Sequence, residues 1–120
     1  NNDNLSYKGI IQHSDIHEIY SEANILVLPS HGEGLPATGV EGLSMGMPLI
    51  LSNAGGCKEL IKNDENGLLH EIGNQNEIYE CLRFFCQNPN KILEMGVKSS
   101  ELYQEKFSNH IIFRSYEELI

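Results

Sequence analysis

The chain has 120 residues, of which 40% are hydrophobic and 21% charged, a composition typical of a single folded globular domain. Its 8 Lys and Arg against 17 Asp and Glu give a formal net charge of −9, which argues against non-specific binding to nucleic acids or anionic membranes, since both rely on basic patches. No apolar run approaches the ~18 residues that a membrane-spanning helix needs.

The first quarter of the chain predicts two strands with a helix between them. Residues 6–10 are typical of a short strand, and Ser14 is a candidate N-cap for a helix that runs to about Ala23. The apolar face of this helix consists of Ile16, Ile19 and Tyr20. Residues 24–30 form an apolar run cut off by Pro29, as expected for a strand buried on both faces of a parallel sheet.

The rest of the chain continues the alternation of helix and strand and then becomes helical. The predicted elements are, in chain order, a loop over 31–36, a helix over 37–45 ended by Gly46, a strand over 48–52, a turn over 53–56, a short helix over 57–62 and a strand over 68–70. Three helical segments follow, over 77–87, 91–107 and 110–120. This order predicts an α/β fold, a Rossmann-like parallel sheet with flanking helices.

Two glutamates eight positions apart, Glu33 and Glu41, mark the candidate site. Ligands of such folds bind beyond the carboxyl ends of the strands, where the loops 29–37 and 53–56 are predicted to lie. Gly32, Gly34 and Pro36 keep Glu33 out of a regular helix. Carboxylates accept hydrogen bonds from vicinal hydroxyls, which a ribose or a hexose presents.

The predicted helix start supplies the other half of the candidate site. The backbone N–H groups near Ala37, Thr38 and Gly39 suit a phosphate, because the first turn of a helix leaves its amides without intrahelical acceptors. Together with the glutamates, this indicates a nucleotide-sugar site. The plainer alternative has equal weight on chemistry alone: glutamates near a helix start also occur simply as complements to the helix dipole.

The order of these motifs resembles the C-terminal domain of the retaining GT-B glycosyltransferases of the family 4 type, which carry an E-x7-E motif. The matching residues are Glu33-Gly34-Leu35-Pro36 through Glu41, then Gly46, Pro48, Gly55-Gly56, Glu59 and Asn66-Gly67-Leu68. The resemblance covers about residues 7 to 72, and residues 107–120 are similar to the closing helix of that family.

The resemblance implies transfer of a sugar from a nucleotide-diphosphate sugar to an acceptor with retention of configuration. It implies that Glu41 binds the donor ribose and that the catalytic residue Glu33 faces the transferred sugar, with Gly34, Leu35, Pro36 and Thr38 lining the donor site. Pro36 has no N–H, so it shapes the loop and donates no hydrogen bond. Neither a metal nor another cofactor is expected, and the nucleotide sugar is a co-substrate.

The same resemblance sets the expected domain organisation. Residues 1–120 are expected to be part of the C-terminal nucleotide-sugar-binding domain, with the rest of that domain and an N-terminal acceptor domain in preceding sequence. The 120 residues alone are therefore expected to be inactive. The acceptor is expected to be a glycan or a lipid, with no nucleic acid among the partners.

The expected location is the cytoplasm, at the inner face of the membrane, with peripheral membrane contact made by the missing domain. The odd number of cysteines agrees with reduced intracellular thiols.

Several assignments remain open on the sequence. His31 either touches the donor or is a solvent-exposed loop residue, and Gly55 and Gly56 either contact a substrate or only shape their loop. His13 and His17 have a metal-binding spacing but no third candidate ligand. The alternatives for the whole protein are another GT-B sugar enzyme, an epimerase or a phosphorylase, and a non-catalytic nucleotide-binding module.

Overall fold

A three-stranded parallel sheet organises the computed structural model, which describes residues 5–31, 34–62 and 64–107. The strands are β1 (Leu26–Leu28), β2 (Leu49–Ser52) and β3 (Gly67–His70), in the spatial order β1-β2-β3. Leu26 pairs with Leu49, and Leu49 pairs in turn with Gly67. The predicted fold class, a Rossmann-like parallel sheet with flanking helices, is confirmed.

Helices connect and cover the strands. They are α1 (Ile16–Ser21), α2 (Ala37–Ser44), a 3-10 helix over Gly55–Leu60, α3 (Gln75–Gln87) and α4 (Asn90–Leu102). A 3-10 turn over His13–Asp15 precedes α1, and a π-helical turn over Tyr103–Phe107 follows α4. Within the described ranges, no helix is long and apolar enough to cross a membrane.

The central strand β2 directs alternate side chains into two cores, one on each face of the sheet. Leu49 and Leu51 belong to one cluster, whereas Ile50 belongs to the other, and all three are completely buried. The first cluster contains helix residues Leu43, Leu60 and Leu102, and the second contains Cys81, Phe85 and Met95. This two-sided burial explains why residues 48–52 carry a continuous apolar run instead of an alternating one.

Two glycines let α2 lie directly on the sheet. A Cβ at Gly42 would stand 2.7 Å from Cδ2 of Leu26, and a Cβ at Gly39 would overlap Cδ1 of Leu60. Within a helix each glycine weakens it by ~1 kcal/mol relative to Ala. The structure shows what the two glycines contribute in return, which is a closer approach of the helix to β1 and to the 3-10 helix.

The prediction of a strand over residues 6–10 is wrong. The side chains of Tyr7 and Ile10 are 94% and 100% exposed, and Gly9 has a φ of 68°. No described strand pairs with this segment, so its backbone has no ladder that would make it a strand. The prediction of Ser14 as an N-cap is also wrong, because Ser14 lies within the 3-10 turn and Asp15 precedes α1 without a capping side-chain bond.

The other predicted elements are present with shifted bounds. The helix predicted over 37–45 and the strands over 48–52 and 68–70 agree with α2, β2 and β3 to within one residue at each end. The strand predicted over 24–30 is confined to β1 and is only half-buried. The short helix begins two residues earlier than predicted and is a 3-10 helix, and the helix predicted over 91–107 changes to π geometry at Tyr103. The prediction over 110–120 lies outside the described residues.

Candidate functional site

The carboxyl ends of all three strands meet at one edge of the sheet, and two hydrogen bonds hold this edge together. The Ser52 hydroxyl at the end of β2 donates to the carbonyl of Ser30 in the loop after β1. The Asn53 N–H donates to the carbonyl of His70, the last residue of β3, over 2.7 Å. The loop after β1, the turn after β2 and the end of β3 therefore form one continuous surface.

The two glycine-containing loops predicted at this edge are in direct contact. A Cβ at Gly56 would lie 2.8 Å from the backbone nitrogen of Leu35 and 3.1 Å from the carbonyl carbon of Gly34. Only a residue without a side chain permits this approach. Gly55, the preceding residue, is exposed and has a φ of 48°, a conformation that also favours glycine. The structure thus requires glycine at both positions, because of the backbone conformation at Gly55 and the close packing at Gly56.

Helix α2 begins next to this contact. Pro36 is buried and extended, with φ −76° and ψ 122°, and its carbonyl accepts from the N–H groups of Gly39 and Val40 over 3.1 and 3.2 Å. The proline therefore starts the helix through its fixed φ and its carbonyl, in the absence of a capping side chain. The positive end of the α2 dipole faces the edge where the strands end.

Thr38 and Glu41 lie one turn apart on the same face of α2, and both side chains are half-buried. Tyr20 from α1 lies near this face. Burial raises the pKa of Tyr20, and the Glu41 carboxylate raises it further, while the Thr38 side chain acts in the opposite direction. The phenol therefore remains protonated near Glu41, the carboxylate that the family resemblance assigns to the ribose.

A direct contact joins α1 to the end of α2. Nδ1 of His17 lies 3.2 Å from the sulfur of Met45, the residue that follows α2. The partner of this histidine is thus a thioether. No group of three His, Cys, Asp or Glu side chains that could hold a metal occurs within residues 5–31, 34–62 and 64–107.

The structure brings most of the predicted site residues to one place. Gly34 and Leu35 are exposed beside the Gly56 contact, Thr38 and Glu41 follow on α2, and His31 is exposed in the loop after β1. Glu33, the residue predicted to face the transferred sugar, lies outside the described residues.

Two residues of the region were not singled out from the sequence. From the sequence, Tyr20 was interpreted only as part of an apolar helix face, since nothing in the sequence places its hydroxyl near Thr38. His70 occupies a strand position where an apolar residue is expected, and it is 1% exposed. Its Nδ1 donates to the carbonyl of Glu71 over 2.9 Å, and within the described part of the chain its Nε2 has no hydrogen-bond partner.

Comparison with known proteins assigns the chain to a family. Residues 1–101 match the family described as "Glycosyl transferases group 1". The chain is 36% identical over 87 residues to an uncharacterized glycosyltransferase of Haemophilus influenzae, a match that covers 72% of this chain and 25% of the relative. It is 27% identical over 111 residues to the capsular polysaccharide biosynthesis glycosyltransferase CapM of Staphylococcus aureus, covering 92% of this chain and 29% of CapM. The chain belongs to the glycosyl transferases group 1 family.

Solved structures agree with this assignment. Sucrose-phosphate synthase from Thermosynechococcus elongatus superposes with a TM-score of 0.89 at 26% identity, over 98% of this chain and 29% of that protein. Anabaena HepE in complex with UDP superposes with a TM-score of 0.80 at 20% identity, over 89% of this chain and 30% of HepE, a likeness of fold alone. The neighbours are GT-B glycosyltransferases, matched in their C-terminal domains. The chain spans between a quarter and a third of the length of these proteins.

Proposed function

We propose that this chain is part of the donor-binding domain of a retaining glycosyltransferase and holds a nucleotide-diphosphate sugar at the carboxyl edge of its sheet. The observation that carries the proposal is the contact between Gly56 and Leu35. It joins the two family loops beside the start of α2, from which Thr38 and Glu41 project on one face.

Each part of the donor has a candidate partner at this edge. The first amides of α2, at Ala37 and Thr38, suit the diphosphate, because they combine N–H donors with the positive end of the helix dipole. Glu41 accepts hydrogen bonds from the ribose hydroxyls, since an ionised carboxylate is an acceptor for two vicinal O–H groups. Glu33 is proposed to face the transferred sugar, as the family motif implies.

The proposed reaction breaks the bond between the anomeric carbon and the oxygen of the terminal phosphate. An acceptor hydroxyl attacks the anomeric carbon from the same face from which the leaving group departs, so the configuration is retained. The departing phosphate takes the proton of the acceptor hydroxyl. Positive charge develops on the sugar ring in the transition state, and the Glu33 carboxylate stabilises it electrostatically. The reaction as proposed uses no metal and no further cofactor.

The proposed acceptor and donor are based on what relatives of this chain act in or were solved with. CapM acts in capsular polysaccharide biosynthesis, which supports a growing glycan or a lipid-linked glycan as the acceptor. HepE was solved with UDP, so a UDP-sugar is the first donor to test. The protein is proposed to work in the cytoplasm, at the inner face of the membrane, with acceptor and membrane contacts made outside these 120 residues.

Ligand-observed NMR of the full-length protein with UDP-, GDP- and ADP-sugars tests the proposal. We expect one donor to bind and Glu41→Gln to weaken it, whereas Glu80→Gln on the exposed face of α3 leaves binding unchanged. The proton coupling constant at the anomeric centre of the product should show the configuration of the donor. Binding without transfer would identify a non-catalytic nucleotide-binding module, and an inverted product would overturn the retaining mechanism.

A further inference from the structure

We propose that a groove between the 3-10 helix over Gly55–Leu60 and the π-helical turn over Tyr103–Phe107 binds a soluble phosphate monoester that carries an apolar group. The groove has a volume of about 580 Å³, which lies within the range of about 300–1,000 Å³ that small-molecule sites occupy. None of its lining residues is assigned to the nucleotide sugar. The proposal therefore goes beyond the proposed function and does not rest on it.

The rim of the groove concentrates positive charge in an acidic protein. The whole chain has 8 Lys and Arg against 17 Asp and Glu, and three of those eight basic residues line this groove. They are Lys58, Lys62 and Lys106, and all three side chains are exposed. An ammonium group donates hydrogen bonds and accepts none, so the rim suits an anion.

The lysines of the rim are open to a ligand. Within residues 5–31, 34–62 and 64–107, neither Lys58 nor Lys106 forms an ion pair, whereas each basic side chain of α3 and α4 pairs with a glutamate of its own helix. Lys62 lies 3.8 Å from the Glu105 carboxylate, and both side chains are more than half exposed. Such a pair contributes little, so a phosphate can compete with Glu105 for Lys62.

The floor of the groove is apolar. Ile61 and Leu102 are buried members of the first core cluster, and Phe107 packs against that cluster. Phe107 is only half-buried, so part of its side chain remains open to the groove. The aliphatic stems of the lysines extend this apolar surface. A purely charged ligand would leave the floor in contact with water, whereas an apolar or aromatic group would cover it.

The charge balance of the groove favours a doubly charged anion. Glu59 also lines the groove and offsets one lysine, which leaves two positive charges in excess. A phosphate monoester carries about −1.5 to −2 charges at pH 7, whereas a carboxylate carries a single charge. Lysine is a common phosphate ligand that acts as a point charge. The rim and the floor together therefore match a phosphate monoester with an apolar or aromatic group.

Phenyl phosphate is the probe that tests this site, because it combines a phosphate monoester with an aromatic ring. Ligand-observed NMR titrations give its dissociation constant for the full-length wild type and for the double variant Lys58→Gln/Lys106→Gln. The matched control is Lys8→Gln/Lys91→Gln, which removes the same charge outside the groove. An exposed ion pair corresponds to an affinity factor of up to about five, so we expect about a tenfold loss in the groove variant and none in the control.

Two related probes test the two halves of the proposed ligand. Phenyl sulfate has the ring with a single negative charge, and inorganic phosphate has the charge without the ring. We expect both to bind the wild type more weakly than phenyl phosphate. Equal affinity for inorganic phosphate would overturn the role of the apolar floor, and equal affinity for phenyl sulfate would overturn the preference for a doubly charged anion.

The remaining outcomes separate the groove from the donor site and from a membrane. Displacement of phenyl phosphate by excess UDP would place the probe at the donor site and overturn the proposal. Equal losses in the groove variant and the control would show a general effect of charge, which also overturns it. If the wild type sediments with phosphatidic acid vesicles, the groove variant does not, and phenyl phosphate fails to bind, the occupant is a membrane lipid and the proposed soluble ligand is wrong.

Discussion

Replacing Gly56 by alanine tests the contact on which the proposed donor site depends. The new Cβ would lie 2.8 Å from the Leu35 nitrogen and 2.9 Å from its Cα, whereas ordinary contacts begin at 3.4 Å. Both neighbours are backbone atoms, so no side-chain rotation can relieve the clash and the two loops must separate. Overpacking of this kind costs about 1–3 kcal/mol. The gain from restricting the unfolded chain, about 0.4–1 kcal/mol, offsets only part of that cost.

Donor binding should respond more strongly than stability to this substitution. A displacement of 1 Å at a reacting centre can lower the rate about 100-fold, so a smaller shift of the Leu35 loop should still reduce kcat/KM by roughly tenfold. Urea unfolding gives the free energy of unfolding, calorimetry with UDP gives the donor affinity, and the rate of sugar transfer by the full-length protein gives kcat/KM.

Gly96→Ala is the matched control for Gly56→Ala. Its Cβ would overlap the carbonyl oxygen of Gly46, so it also destabilises, but Gly46 follows the far end of α2, at the opposite edge of the sheet. We expect both variants to lose stability and only Gly56→Ala to lose additional donor affinity. Wild-type stability and affinity in Gly56→Ala would show that the two loops are not in contact in solution, and the reasoning would be refuted.

Three further predictions concern stability and reactivity. Burial and a neighbouring carboxylate raise the pKa of Tyr20 above 10.0. The stabilising contribution of Tyr20 is therefore complete below about pH 10 and is lost as the pH rises through its folded-state pKa. When the urea midpoint is measured against pH, Tyr20→Phe should show a smaller decrease at alkaline pH than the wild type. Burial, followed by the nearby acidic side chains of Glu77 and Glu80, raises the pKa of Cys81. Iodoacetamide should therefore alkylate the exposed Cys86 roughly tenfold faster than Cys81. The prediction is contradicted if Cys81 in the Cys86→Ser variant reacts faster than Cys86 does in the wild type. Asn74→Ala should cost about 1 kcal/mol in urea unfolding, since the Asn74 side chain accepts from the Glu77 N–H over 3.0 Å at the start of α3; an unchanged midpoint would show that this cap adds nothing.

Elements with strong local signals were predictable from the sequence. The apolar run of β2 identified a strand with two buried faces, and Gly46, with a φ of 70°, ended α2 as expected of a glycine after a helix. The segment 6–10 contains only two hydrophobic residues, Tyr7 and Ile10, and has no partner strand among the described residues, so its local pattern was too weak a signal for a strand.

The candidate site was predictable in its motif and unpredictable in its contacts. The sequence indicated that Glu41 and Thr38 follow a glycine-containing loop at the ligand-binding edge. It could not show that Gly56 packs on Leu35 or that Tyr20 lies near Thr38, because these pairs are distant in the chain and meet only through tertiary packing. From the sequence alone, Gly39 and Gly42 could be interpreted only as residues that weaken a helix. The folded structure shows that they allow α2 to approach Leu60 and Leu26 closely.

The close packing of α2 on the sheet has a consequence for how such a site can diversify in evolution. Because Gly39 and Gly42 leave no gap under the helix, the direction of its first turn is set by the hydrophobic core and not by the surface loops. If the chain holds a nucleotide sugar as proposed, mutations in the loops can then vary sugar selectivity without redirecting the diphosphate. A methyl group added at Gly42 would have to displace the Leu26 side chain or move the helix itself, so a core substitution in this protein can present itself experimentally as a loss of the proposed donor binding.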